Sequence, residues 1–290
     1  MNTVQPFVLG VSYRPRCIRL IVNADDYGRT AEVSRGVRAA HLNGIVTSTS
    51  CMMNMPSVVE DIRNAVQESP ALGMGVHLVL TSGQPLLPAR QVPSLVAPDG
   101  MFFKAGEFLA RLQEIDPRQA KAEWRVQIER FIAATGHPPT HLDSHHHASY
   151  FSEQLFRGML ELAQEYGSGI RQIFTQGQAG SMAGLPVEIV DPVNEYAAHL
   201  LGEFRPKKPD VFLASFYDEM ATRDELRHLI SELQPGTTEL MCHPGYADPI
   251  LLAGSSYARQ RESELAVLTD PAIRQTIQAQ GIELISFAQL

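Results

Sequence analysis

Four stretches of this chain hold side chains that can bind a cation or move a proton, and each lies in or directly after an apolar run. Asn23-Ala24-Asp25-Asp26-Tyr27-Gly28 follows Ile18–Val22, and His77 sits inside Leu72–Leu80. Asp143-Ser144-His145-His146-His147 follows Thr140–Leu142, and His243-Pro244-Gly245-Tyr246 follows Thr238–Cys242. Adjacent carboxylates repel, so Asp25 and Asp26 must each be offset by a cation, a metal or a shared proton. With 10 His in 290 positions, a chance run of three arises in roughly 1% of such sequences, and short His-rich tracts mark metal sites. Not all three can face one ion. One Asp and two His make a three-ligand set with positions left for water and substrate, which is the shape of a hydrolytic divalent site. The other acid is then available as a base, and a histidine opposite can protonate a leaving group.

Each group also has a plain structural role to weigh. An Asp pair after a strand serves as a turn or helix cap, His77 as a hydrogen-bonded core histidine, and His243 as a turn residue before Pro244. What favours chemistry is the arrangement of the elements. Helical patterns over Thr30–Asn43, from Pro56 with a Ser57/Glu60 capping box, from Asp116-Pro117 to Gly136, over Ser152–Tyr166, from Thr222/Glu225 to Leu233 and after Asp270-Pro271 alternate with strand-like runs. The runs are Ile18–Val22, Ser48–Asn54, Leu72–Leu80, Thr140–Leu142, Ile170–Thr175, Val187–Val190, Val211–Phe216, Thr238–Cys242 and Glu283–Phe287. Val66 is expected on the buried face of the second helix, a helical stretch is expected from near Asn194, and Gly177–Gly184 reads as loop. Alternation of this kind predicts an α/β fold: a single-domain distorted (β/α) barrel with mostly parallel strands. In such a barrel the strand C-termini share one face, so Asp25/Asp26, His77, Asp143/His145 and His243 are expected to converge there.

Composition sets the outer limits. Residues 1–17 read as an irregular extension and 18–290 as the barrel domain. A formal net charge of −8 argues against a nucleic-acid partner, which needs a basic footprint. Cys17, Cys51 and Cys242 have no CxxC spacing, which predicts a reducing, cytoplasmic setting. No apolar run approaches the ~18 residues of a membrane span. Thr81–Gly106 carries four prolines and is expected to form a lid or binding loop, with Tyr27, Phe102 or Phe103 as candidate stacking surfaces.

Five motifs in register, Asn23–Gly28, Gly44-Ile45-Val46-Thr47-Ser48, Gly75–Thr81, Pro139–His147 and Met241-Cys242-His243-Pro244, resemble the YdjC-like carbohydrate deacetylases, nearest to the chito-oligosaccharide deacetylases. The resemblance runs from about Leu20 to the C-terminus. It implies a distorted (β/α) barrel that removes acetyl groups from N-acetylated sugars with one divalent metal ion. It also implies Asp26, His77 and His145 as metal ligands, Asp25 as general base, His243 as general acid, and a homodimer. The ligand types leave Mg2+ and Zn2+ both open: two His suit zinc and hard oxygens suit magnesium. Asp143, His146 and His147 are left without an assigned role. Family members often carry a further His two residues beyond the triplet, where this chain has Ser149, so the sugar contacts are expected to differ. Two other readings fit the same residue types: a metal-dependent phosphoesterase, with Arg29 as the nearby cation, and a silent sugar- or metal-binding protein. Two adjacent acids argue against the silent binder, because a binder needs no spare base.

Overall fold

The computed structural model describes residues 17–173 and 187–290. Among these, eight strands form one sheet: β1 (Ile18–Tyr27), β2 (Ser48–Cys51), β3 (Gly73–Leu78), β4 (His141–Ser144), β5 (Gly169–Ile170), β6 (Val211–Leu213), β7 (Gly236–Cys242) and β8 (Glu283–Leu284). The order is β5-β4-β3-β2-β1-β7-β6, with β8 beside the start of β1, and every ladder is parallel. Among the described residues ten helices run between the strands: α1 (Ala31–Asn43), α2 (Val58–Glu68), α3 (Ala105–Ala110), α4 (Pro117–Thr135), α5 (Glu153–Tyr166), α6 (Val187–Phe204), α7 (Arg223–Ser231), α8 (Pro249–Gly254), α9 (Gln260–Leu268) and α10 (Pro271–Ala279). The sheet curls until its two ends approach. Among the described residues β5 and β6 share no ladder, yet Ile170 N–H donates to Lys207 O at 2.8 Å and the Arg171 guanidinium lies 5.0 Å over the Phe212 ring. The result is a parallel barrel with one open seam, the distorted (β/α) barrel that the alternation predicts.

Local chemistry places the elements. Thr30 caps α1 by accepting the Val33 N–H, and Asp116 with Pro117 opens α4, which Gly136 ends in a left-handed turn. Thr222 caps α7 by accepting the Glu225 N–H. Gly28, at φ 87°, follows β1 directly; a Cβ there would stand 2.4 Å from the Val58 side chain, so the chain leaves the site only through glycine.

Several expectations need correction. Ser57 makes no capping bond, because its backbone is already helical and its hydroxyl donates to Asp61 instead (2.9 Å). Val66 is 47% exposed. Val187–Val190 is the first turn of α6, not a strand. The runs Ser48–Asn54, Val211–Phe216 and Glu283–Phe287 shorten to β2, β6 and β8. Helices α8 and α9 fall where the sequence pattern assigned nothing. Phe174-Thr175, Gly177–Gly184 and the N-terminal 16 residues of the extension lie outside the described residues.

The proline-rich segment after β3 is a packed wall rather than a lid. Its Leu86 and Leu87 N–H groups donate to the Glu123 carboxylate on α4 (both 2.9 Å), and Ser94 N–H donates to Gln119 (3.0 Å). Phe102 and Phe103 are buried in the core, and Tyr27 is fully buried with its hydroxyl donating to Asp61 O at 2.6 Å. These three rings are therefore not available to a sugar.

Candidate active site and metal centre

Two neighbouring residues of a regular strand point to opposite faces, so Asp25 and Asp26 could not both serve one site without a break in β1. The break is there. Ala24 pairs with Thr49 and Tyr27 with Cys51, three steps on β1 against two on β2, and Asp26 has φ 68°. This is a bulge with a left-handed residue, which Asp tolerates better than most. Both carboxylates consequently line a single cavity of ≈ 330 Å³ at the C-terminal ends of the strands. His77, His145 and His243 line it too, while Asp143 stands behind His77, outside the lining.

Within the cavity three donor atoms form a triangle. Asp26 Oδ1 is 3.5 Å from His77 Nε2 and 3.1 Å from His145 Nδ1, and the two ring nitrogens are 3.3 Å apart. Ligands held about 2.1 Å from one ion stand roughly 3.0–3.4 Å apart in octahedral or tetrahedral geometry. The triangle fits a divalent cation. Asp26 Oδ1 is buried without a hydrogen-bond partner among the described residues, which a cation would remedy. Asp143 Oδ1 accepts from His77 Nδ1 at 2.8 Å, which leaves Nε2 to face the triangle. Burial alone would lower His77, but the Asp143 carboxylate overrides it and raises the group to about 9.

Charge around the triangle points the same way. Burial opposes ionisation of Asp25, but the Arg171 guanidinium outweighs it and holds the carboxyl below the ordinary value. Against the same burial, Arg261 and His145 hold Asp26 well below it, and His77 with Arg171 does so for Asp143. Three buried carboxylates thus face two guanidiniums and the His77 ring, and a bound cation would supply the third positive charge in place of the His77 proton.

The residues that sequence reasoning missed are those that hold the others still. Arg171, fully buried just past β5, grips Asp25 with both terminal nitrogens (2.7 Å each), touches Asp143 (3.2 Å) and donates Nε to Glu239 on β7 (2.8 Å). Arg261 on α9 pairs with Asp26 Oδ2, so only Oδ1 faces the triangle. His243 Nε2 stands 4.0 Å from Asp25 Oδ2, and its Nδ1 stands 3.8 Å from Glu264. Glu264 also accepts the His243 backbone N–H and the Tyr257 hydroxyl. A lone acid in the apolar run Thr238–Cys242 was the one visible signal, for Glu239.

The histidine triplet divides. His145 joins the triangle; His146 is exposed at the rim, its Nδ1 3.0 Å from Thr81 Oγ1; His147 is buried with Nδ1 unpartnered among the described residues. His146 and His147 both have positive φ (53° and 56°), a strained pair that explains how successive side chains diverge. Ser149 does not reach the cavity: it is buried, hydroxyl to hydroxyl with Ser144 at 2.8 Å. Arg29 lines the cavity wall.

Residues 19–279 match the family model of YdjC-like protein. A carbohydrate deacetylase of Geobacillus stearothermophilus is 38% identical over 93% of this chain and 96% of its own, and one of Vibrio cholerae is 34% identical over 94% and 96%. Among solved structures, a putative cellobiose-phosphate cleavage protein from Enterococcus faecalis superposes with a TM-score of 0.81 at 30% identity, covering 94% of this chain and 98% of that one. The chain belongs to the YdjC-like family, whose curated members, matched here over nearly their full lengths, are named carbohydrate deacetylases.

Proposed function

We propose that this protein is a metal-dependent hydrolase that removes acetyl groups from N-acetylated sugars such as chito-oligosaccharides, with residues 18–290 as the deacetylase domain. The observation that carries the reading is the triangle of Asp26, His77 and His145 beside a second, separately clamped carboxylate in one cavity. Asp26, His77 and His145 would hold the ion. When bound, a divalent cation supplies Lewis-acid polarisation of the amide carbonyl and lowers the pKa of water.

The remaining roles belong to the chain. Asp25, kept ionised and oriented by the Arg171 fork, takes the proton of the attacking water. His243 is pushed down to about 4 by burial, so it rests neutral at pH 7 and holds no proton of its own to give. The proton it delivers to the departing sugar amine is the one Asp25 has just taken, 4.0 Å from Nε2. Water thus leaves its hydroxyl on the acetyl carbon and its proton on the amine as the C–N bond breaks. His147, held neutral by burial, faces the same cavity as an uncharged polar contact.

Acetate release from N,N′-diacetylchitobiose, measured before and after EDTA with metal content determined alongside, tests the reading. Activity should vanish with the metal and return with it. Release indifferent to chelation refutes metal dependence, and no release from any acetylated sugar by metal-loaded protein refutes the deacetylase reading. No described helix is long and apolar enough to cross a membrane; a cytoplasmic homodimer belongs to the same proposal and is read by fractionation and sedimentation.

A further inference from the structure

We propose that Tyr217 is the platform on which the pyranose ring carrying the acetamido group stacks. The inference rests on the deacetylase reading for the identity of the ligand and on independent geometry for the platform. Among the described residues lining the cavity, the only Phe, Tyr or Trp rings are Tyr217 and Tyr257. Tyr217 is 41% exposed, a large ring left open in the cavity wall.

The ring is held rather than loose. One face stacks on Tyr257, with centroids 4.2 Å apart and planes 9° from parallel. Tyr257 is itself pinned, since its hydroxyl accepts the Asp218 N–H (2.9 Å) and donates to the buried Glu264. Asp218 takes φ 54°, a left-handed turn immediately after Tyr217, and Met220 N–H closes that turn onto Tyr217 O at 3.1 Å. Strain of this kind persists only where surrounding contacts fix it. With one face covered, the exposure of Tyr217 falls on its other face and edge. A rigid, flat, amphipathic surface of that type buries the apolar C–H face of a sugar at little cost in side-chain entropy.

Position assigns which sugar. The Tyr217 ring lies 5.4 Å from the His243 ring, edge to face, and His243 is the group that meets the leaving amine. The pyranose bonded to that nitrogen must therefore lie beside His243, within reach of Tyr217. The acetyl group faces the other way, toward Asp26, His77 and His145.

The test compares Tyr217→Ala and Tyr217→Phe with the wild type, using N-acetylglucosamine and N,N′-diacetylchitobiose as substrates. Tyr217→Ala should raise KM about tenfold for both sugars, the loss expected for an aromatic anchor. Its kcat should stay within about threefold, because the ring touches no reacting atom. Tyr217→Phe should retain the wild-type KM. Unchanged KM, a rise confined to the disaccharide, or a fall in kcat alone overturns the assignment. Calorimetric titration with glucosamine reads the platform without turnover. If the wild type releases no acetate, the deacetylase reading fails; weaker glucosamine binding by Tyr217→Ala still supports the platform, and equal binding overturns it. Urea unfolding of each variant excludes a folding defect.

Discussion

Glu239 hydrogen-bonds Arg171 in the barrel interior, and the obvious expectation is that removing its charge breaks a buried ion pair at a cost of roughly 3–5 kcal/mol. The opposite is expected. Burial pushes the Glu239 carboxyl up to about 8, because Arg171 is already committed to Asp25 and Asp143, whose charges add to the burial. Its Oε2 has no hydrogen-bond partner among the described residues, as suits a protonated acid better than an anion. With an ordinary value of 4.5, the folded state binds one more proton than the unfolded state between pH 4.5 and 8. Stability therefore falls as pH rises through that window. At pH 7 the penalty spans roughly 2.5 pH units, or about 3 kcal/mol at 1.36 kcal/mol per unit. Glu239→Gln keeps an oxygen for Arg171 Nε, cannot ionise, and should be neutral to stabilising by up to that amount at pH 7. Urea unfolding at pH 5, 6, 7 and 8 measures it: the variant should show a flatter profile and near-normal acetate release. A loss of 3 kcal/mol or more at pH 7 would mean that Glu239 is ionised, and would refute the reasoning.

Other outcomes follow from the same structure. Asp25→Asn should keep its metal, because Asp25 is not in the triangle, yet lose about 10²–10⁴ in kcat as a general base is lost; near-normal turnover removes it from that role. EDTA should lower the melting temperature as well as the activity, since a ligand that binds only the folded state stabilises it; an unchanged melting curve would count against an ion in the triangle. His141, stacked on Phe287 with centroids 3.8 Å apart, is pushed down to about 4 by burial. The unfolded chain then takes up the extra proton between about pH 6.5 and 4, so stability falls as pH drops through that range. His141→Gln should shallow the acid-side slope by up to about 1.4 kcal/mol per pH unit, measured by denaturant titration, and an unchanged slope removes His141 from the balance.

What was legible in the sequence were the groups that could do chemistry and the strand ends that carry them. Asp25, Asp26, His77, His145 and His243 each have a bland structural role on their own, and stand out because all of them lie in or just after apolar runs. The convergence followed from alternation alone. Their supports were not legible. Arg171 is 146 positions from Asp25 and Arg261 is 235 from Asp26, and in a pattern of charges on strands and helices neither differs from a solvated cation until folding buries it. Arg261 and Glu264 share α9, a helix that hydrophobic periodicity did not reveal. The bulge at Asp26 was equally hidden, since nothing in Ala24-Asp25-Asp26-Tyr27 distinguishes a regular strand from a broken one. Tyr27, Phe102 and Phe103 read as stacking surfaces in the sequence because they are aromatic and close to motifs. All three proved to be core, and the exposed ring is Tyr217, at the end of a run read only as a strand.

The open seam between β5 and β6 gives Arg171 a second significance. Where backbone pairing stops, this one side chain reaches from the end of β5 to Glu239 on β7 and lies over Phe212 on β6, while its other nitrogens grip Asp25. The fastener of the seam and the clamp on Asp25 are the same guanidinium. Such a protein has little freedom to trade one property for the other by gradual substitution. Substituting Arg171 is therefore expected to loosen the seam and to free the Asp25 carboxylate together.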